Sequence, residues 1–165
     1  MSIILNENDL LFAKVKPDAI IPTKKDEDAG YDVYACFDEE YMIIPSHSTK
    51  LVPTGIASAM TSEYYLNVAE RGSTGSKGIK YSAGIIDSSY RGEIFIALSN
   101  INDMPVIISK KNIVADDIIV YPYSKAIAQL IVHRVYKMNE REISYDELKE
   151  IPSERGMGAL GSSNK

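Results

Sequence analysis

Turn formers cut this chain into short pieces, and most of the pieces are patterned like strands. Phe12 to Lys16 alternates apolar and polar residues and stops at Pro17, Tyr31 to Cys36 follows Gly30, Tyr41 to Ile44 stops at Pro45, and Leu51-Val52 stops at Pro53. Ile56 to Met60, Tyr64 to Ala69, Val106 to Ile108, Ile118 to Tyr121 and Ile127 to Tyr136 continue the series. Proline lacks the ladder N–H, so each proline ends a strand rather than passing through it. Short strands at spacings of roughly 8–12 residues, with little helical periodicity, predict an all-β sandwich, jelly roll or barrel. Helical signals are confined to one turn at Ser73 to Lys77 and to Ser144 to Lys149, where Ser144 and Glu147 have capping-box spacing.

The densest stretch is Ala83 to Leu98, AGIIDSSYRGEIFIAL. Ile94, Ile96 and Leu98 fall on one face of a strand, Phe95 and Ala97 on the other. Gly84-Ile85-Ile86 can pair back against that strand as the second arm of a hairpin. Asp87-Ser88-Ser89-Tyr90 suits the β-turn between the arms, with Asp at its first position. The turn gathers a carboxylate and a phenol, and Gly84 and Gly92 leave room for a flat ligand near the backbone. An Asp heading a turn commonly bonds its own backbone, and these residues alone favour that reading over catalysis.

At 165 residues the chain is read as one β-domain, 1–151, followed by a glycine-rich arm, 152–165. Its 18 Lys and Arg against 23 Asp and Glu give a formal charge of -5, which argues against broad nucleic-acid binding. An anionic small molecule needs only a few local cations. The single Cys36 excludes an internal disulfide and a multi-cysteine zinc site, and His47 and His133 alone make a poor metal set. The start, MSIILNENDLLF, lacks the basic opening of a signal peptide, and no apolar run has the length of a membrane span. A soluble, reducing, cytoplasmic setting is expected.

Two loops combine arginine with glycine and hydroxyl residues. Arg71-Gly72-Ser73 leaves the strand Tyr64 to Ala69 and can cradle an anion, although the glycine and lysine spacing is not that of a Walker A loop. The alternative is a solvated loop. Gly156-Met157-Gly158-Ala159-Leu160-Gly161 matches G-x-G-x-x-G, but only four residues follow it, so a Rossmann unit is excluded. A disordered tail and a phosphate-wrapping arm with Arg155 as its cation both fit. Asp32 sits inside a strand-like run and should face solvent or pair with an arginine. Gln129 interrupts the apolar run around Ile127 to Ile131 and can point to solvent on the alternate face.

Five segments in order resemble the five motifs of the trimeric dUTPase (deoxyuridine triphosphatase) family: AGYDVYA from Ala29, RGSTGSKG from Arg71, AGIIDSSYRGE from Ala83, IAQLI from Ile127 and RGMGALGSS from Arg155. The resemblance implies a jelly roll or distorted barrel with a flexible C-terminal arm, and Mg²⁺-assisted hydrolysis of dUTP to dUMP and pyrophosphate. That reaction limits uracil incorporation into DNA and supplies dUMP. It implies a homotrimer whose subunits share each site, with no nucleic acid or membrane as partner. By position, Asp87 would direct the attacking water, and Tyr90 would lie under the deoxyribose. The backbone of Ala83, Gly84, Ile85 and Ile86 would read uracil. Arg71, Gly72, Ser73 and Gln129 would hold phosphates, and Arg155, Leu160, Ser162 and Ser163 would close over the nucleotide. The metal would be held through triphosphate and water rather than by protein ligands, with Asp32 supporting Arg71 across an interface.

Some positions depart from the family pattern. Leu160 stands where an aromatic usually stacks on uracil, which implies weaker closure by on the order of 1–3 kcal/mol. Glu70 replaces a proline, Ser124-Lys125-Ala126 replaces a Gly-Asp-Arg turn, Tyr81 replaces an asparagine, and Lys111 to Tyr123 is longer than the usual connection. A dCTP deaminase shares the fold but needs a glutamate where this chain has Ala97. A catalytically weak trimeric nucleotide-binding or interaction module is the alternative of another class.

Overall fold

The computed structural model describes residues 3–159. Contacts divide the chain into two units, Met1–Val135 and Tyr136–Lys165, each taken by itself. The first unit carries every strand found among the described residues. They are β1 (Leu10–Lys14), β2 (Gly30–Val33), β3 (Tyr41–Ile44), β4 (Ser48–Pro53), β5 (Ile56–Met60), β6 (Tyr64–Ala69), β7 (Ile79–Ser82), β8 (Ile85–Ile86), β9 (Phe95–Asn100), β10 (Val106–Ser109), β11 (Ile119–Pro122) and β12 (Ala128–Arg134). One helical turn, α1 (Gly72–Gly75), lies between β6 and β7. The strands form sheets in the orders β1-β5, β11-β10-β3, β2-β12-β6-β8 and β4-β9-β7, and the fold is the expected all-β jelly roll.

Period-two patterning explains what lies inside. Ile94, Ile96 and Leu98 are buried at 0%, 0% and 1% exposure while Phe95, between them, is 41% exposed. Ile56 and Met60 on β5, and Leu66 and Val68 on β6, point inward in the same way. These residues join Val33, Ile44, Val52, Ile108, Ile127 and Leu130 in one core. Full burial of a side chain of this size stabilises by about 1.5–3 kcal/mol relative to exposure. Strand β10 is buried at every position because β3 covers one edge and β11 the other.

The hairpin expected at Ala83 to Leu98 does not form as such. The turn is present, but β8 pairs with β6, placing Leu66 opposite Ile86, while β9 pairs with β4 and β7. Both edges of β9 are occupied, so the Gly84–Ile86 segment takes the open edge of β6 instead. Strand β7 occupies a stretch left unassigned by periodicity, since Ile79 is its only buried residue. Strand β4 is longer than Leu51-Val52 because its outward face, Thr49 to Leu51, is exposed and carries little alternation. β1 begins earlier and stops earlier than Phe12 to Lys16, where the N–H groups of Val15 and Lys16 both turn onto the Gly55 carbonyl. The long Lys111 to Tyr123 connection supplies β11, which runs parallel to β10.

The second unit contains α2 (Tyr145–Lys149) with the expected capping box: Ser144 Oγ accepts from the Glu147 N–H at 3.2 Å, and the Glu147 carboxylate accepts from the Ser144 N–H at 2.8 Å. These bonds hold the Glu147 carboxyl below its ordinary pKa. No helix among the described residues is long and apolar enough to cross a membrane.

Candidate active site

At the Asp87 turn the main chain, rather than the side chain, closes the bend: the Asp87 carbonyl accepts from the Tyr90 N–H at 3.1 Å. Among the described residues no group donates to the Asp87 carboxylate, which is exposed at the mouth of a cleft lined by Ile85, Ile86, Tyr90, Glu93 and Phe95. The self-bonding expected of an Asp heading a turn is therefore not made by its side chain. Arg91 braces the bend from behind, its guanidinium donating to the Ser88 carbonyl at 2.6 Å and to the Tyr90 carbonyl at 3.1 Å.

Tyr90 folds back over Gly92 and donates to the Glu93 carbonyl at 2.9 Å. A Cβ on Gly92 would stand 2.5 Å from the Tyr90 hydroxyl oxygen, so only glycine admits this ring position. The Glu93 carboxylate accepts from the Gly55 N–H at 2.7 Å, tying the platform to the turn before β5. The phenol is thus held beside a carboxylate that has no partner among the described residues.

Strand β8 lies at the edge of its sheet, so one side of its backbone has no ladder partner. Gly84 anchors its start by accepting from the Val68 N–H at 2.7 Å, and a Cβ there would come within 3.1 Å of the Val68 carbonyl. Ala83 has φ of +52°, a left-handed conformation that costs a non-glycine residue roughly 1–2 kcal/mol. Strain of this kind collects where the chain must present its backbone in one orientation.

A second, polar cleft is lined by Asp28, Ala29, Gly30, Asp32, Arg71, Gly72, Ser73 and Gln129. Its centre is a two-point ion pair: Arg71 Nε lies 2.9 Å from Asp32 Oδ1 and Arg71 Nη2 lies 3.2 Å from Oδ2. The pair is made within one chain, because β2 and the turn after β6 flank the same strand, β12; support across an interface is not needed. Gln129 does not point to bulk solvent. It lies between Asp32 and Ala69 in register, donates to the Glu70 carbonyl at 2.7 Å, and passes so close over Gly30 that a Cβ there would meet its Oε1 at 2.5 Å. The Glu70 side chain is absent from the lining and packs beside Gly75.

Tyr81 belongs to the scaffold of this cleft. Its hydroxyl donates to the Ile127 carbonyl and lies 3.0 Å from Thr74 Oγ1, joining α1 to the start of β12. Burial pushes its pKa up to about 12, against a lowering by the Thr74 contact. Thr74, itself 1% exposed, accepts from the Arg71 N–H at 3.2 Å and so fixes the arginine at the head of the turn.

Of the expected site residues, the first unit thus gathers Ile85, Ile86, Asp87 and Tyr90 in one cleft and Arg71, Gly72, Ser73 and Gln129 in another, with no lining residue in common. Arg155 lies in the second unit, exposed, its Nε donating to the Gly158 carbonyl at 2.7 Å. Leu160, Ser162 and Ser163 lie outside the described residues. Glu93 and Gly30 shape the clefts and escaped the reading of residues alone; a glycine opening a strand was the only signal for Gly30. No group of three or more His, Cys, Asp and Glu that could hold a metal occurs among the described residues.

The dUTPase family model matches residues 16–164. The deoxyuridine 5'-triphosphate nucleotidohydrolase of Clostridioides difficile is 35% identical over 160 residues, covering 94% of this chain and 97% of that protein. Its namesake in Leptospira interrogans is 31% identical over 154 residues, covering 91% and 94%. A Staphylococcus bacteriophage 80alpha dUTPase mutant solved with dUpNHpp superposes with a TM-score of 0.74 at 21% identity, covering 94% of this chain and 98% of that one, a likeness of fold. On the family match over nearly its whole length and these relatives, the chain belongs to the dUTPase family.

Proposed function

We propose that the chain hydrolyses dUTP to dUMP and pyrophosphate, which keeps uracil out of DNA and supplies dUMP. The observation that carries the proposal is the Asp87 carboxylate, without a partner among the described residues at the head of a braced turn and beside the Tyr90 platform. Asp87 takes a proton from water as that water strikes the α-phosphorus, and pyrophosphate leaves from the opposite side. The Tyr90 ring lies under the sugar and leaves no space for a 2′-hydroxyl. The open backbone edge of β8 bonds the uracil edge, where cytosine offers the wrong donors and acceptors and thymine adds a methyl group.

Arg71, Gly72, Ser73 and Gln129 receive the phosphates. Their cleft also holds Asp28 and Asp32 against one arginine, so its lining carries a net negative charge and suits a triphosphate only when a cation accompanies it. Mg²⁺ fits that need: held through the phosphates and water it would offset their charge, and Asp28 and Gln129 would meet its waters. The chain forms a homotrimer with sites shared between subunits, a reading that the family membership and the separate linings of the Asp87 and Arg71 clefts support. Arg155, Leu160, Ser162 and Ser163 of the arm, residues 152–165, are proposed nucleotide-binding residues. The buried free thiol of Cys36 supports a soluble, reducing, cytoplasmic setting.

Pyrophosphate release from dUTP tests this reading. Asp87→Asn should lower kcat by at least about a hundredfold, the usual scale of general-base catalysis, while dUTP still binds. Equal release by wild type and Asp87→Asn would overturn it.

A further inference from the structure

The residue that holds Tyr90 lies beyond the end of a strand ladder. The β4–β9 register stops where Pro53, which has no N–H to give, stands opposite Phe95. Glu93 and Ile94 come before that point and are outside the pairing, yet the Glu93 carbonyl is the acceptor for the Tyr90 hydroxyl at 2.9 Å. Whatever fixes the Glu93 main chain therefore fixes the phenol ring.

Three bonds from the turn before β5 do so. The Ile94 N–H donates to the Ile56 carbonyl at 2.7 Å, and the hydroxyl of Thr54, a residue 1% exposed, donates to the Ile94 carbonyl at 2.6 Å. The third is made by the Glu93 side chain, whose Oε1 accepts from the Gly55 N–H at 2.7 Å. Gly55 is buried, so its N–H needs a protein acceptor. The turn is itself pinned. The Gly55 carbonyl accepts from the N–H groups of Val15 at 2.7 Å and Lys16 at 3.3 Å, and the Cys36 N–H donates to the Pro53 carbonyl at 2.7 Å. With φ of +67° at Gly55, a Cβ there would stand 2.7 Å from that of Ala19, which leaves the loop no space to shift.

Glu93 is thus bonded at both ends, its main-chain oxygen to Tyr90 and its side-chain oxygen to Gly55. We propose that Glu93 is a positioning residue for sugar selection: by holding its own main chain against Gly55 it sets the height of the Tyr90 ring, and with it the room for a 2′-hydroxyl. The proposal rests on the dUTP reading above. Discrimination between deoxyribose and ribose then depends on a hydrogen-bond acceptor at the end of the residue-93 side chain rather than on a negative charge there.

Calorimetric titration of the full chain with dUMP and with UMP reads this without turnover. Glu93→Ala should bring the preference for dUMP down about tenfold, within the scale set by misplacing a positioning group by about 1 Å. Glu93→Gln keeps an oxygen at the same reach and should hold the preference within about threefold of wild type. Glu93→Asp is one methylene too short for Gly55 and should behave as Glu93→Ala, which covers an alanine variant that fails to fold. A merely structural side chain would lower the melting temperature and leave the preference untouched. Wild-type preference in Glu93→Ala or Glu93→Asp, or a loss in Glu93→Gln as large as theirs, would overturn the proposal. A wild type that binds dUMP no better than UMP would overturn it too; pyrophosphate release from dUTP by the same preparation then shows whether the hydrolase reading stands or falls with it.

Discussion

Tyr90 and Gly92 act as one device. The phenol rests where any Cβ on residue 92 would stand 2.5 Å from its oxygen and 2.7 Å from Cζ, so the glycine is what lets the ring lie flat. Gly92→Ala must therefore lift the ring or shift the backbone, and neither change touches the core, because Tyr90 is 44% exposed. The expected result is selective. The ratio of kcat/KM for dUTP over UTP should fall by on the order of tenfold, since misplacing a positioning group by about 1 Å costs up to a hundredfold. The melting temperature should move by only a few degrees. Steady-state kinetics on both nucleotides check it, and an unchanged ratio would show that the ring does not set sugar selectivity.

Among the elements, α1 and β12 depend on one hydroxyl. Tyr81 donates to the Ile127 carbonyl across the cleft base, and losing such a bond while leaving a buried acceptor costs about 1–3 kcal/mol. Tyr81→Phe should destabilise by that amount at neutral pH. Burial raises the folded-state pKa to about 12 from the ordinary 10.0, so the unfolded chain releases this proton first. Stability from Tyr81 is whole below pH 10 and is lost as pH rises towards 12. Urea unfolding across that range should show wild type and Tyr81→Phe converging with rising pH; curves that stay parallel would refute the assignment. How far the elements can be read from sequence is visible at the same scale. β3, β5 and β6 were legible to the residue, β3 because Pro45 stops it and β5 and β6 because their inward alternation is regular. The pairing of β8 was not, because alternation says which face is buried but not which strand lies alongside. The Asp87 turn was legible from its composition, whereas its bracing combines a local bond from Arg91 with the Glu93–Gly55 bond across 38 residues, which local spacing does not encode.

At the scale of the whole molecule, the two clefts that one nucleotide must bridge have separate linings. The proposed sharing of the site sets Asp87 of one copy against Arg71 of another, whereas a site built within one chain uses both residues of the same copy. Two defective variants distinguish these cases. Asp87→Asn removes the base and leaves the phosphate cleft intact; Arg71→Met removes the guanidinium but keeps an unbranched aliphatic stem. Each variant alone should be nearly inactive. When equal amounts are unfolded and refolded together, a shared site is whole only where an Asp87 from one type faces an Arg71 from the other, which random assembly provides at about one site in four. Recovery of roughly a quarter of wild-type pyrophosphate release is therefore expected. A site built within one chain recovers nothing, since every subunit in the mixture carries one defect.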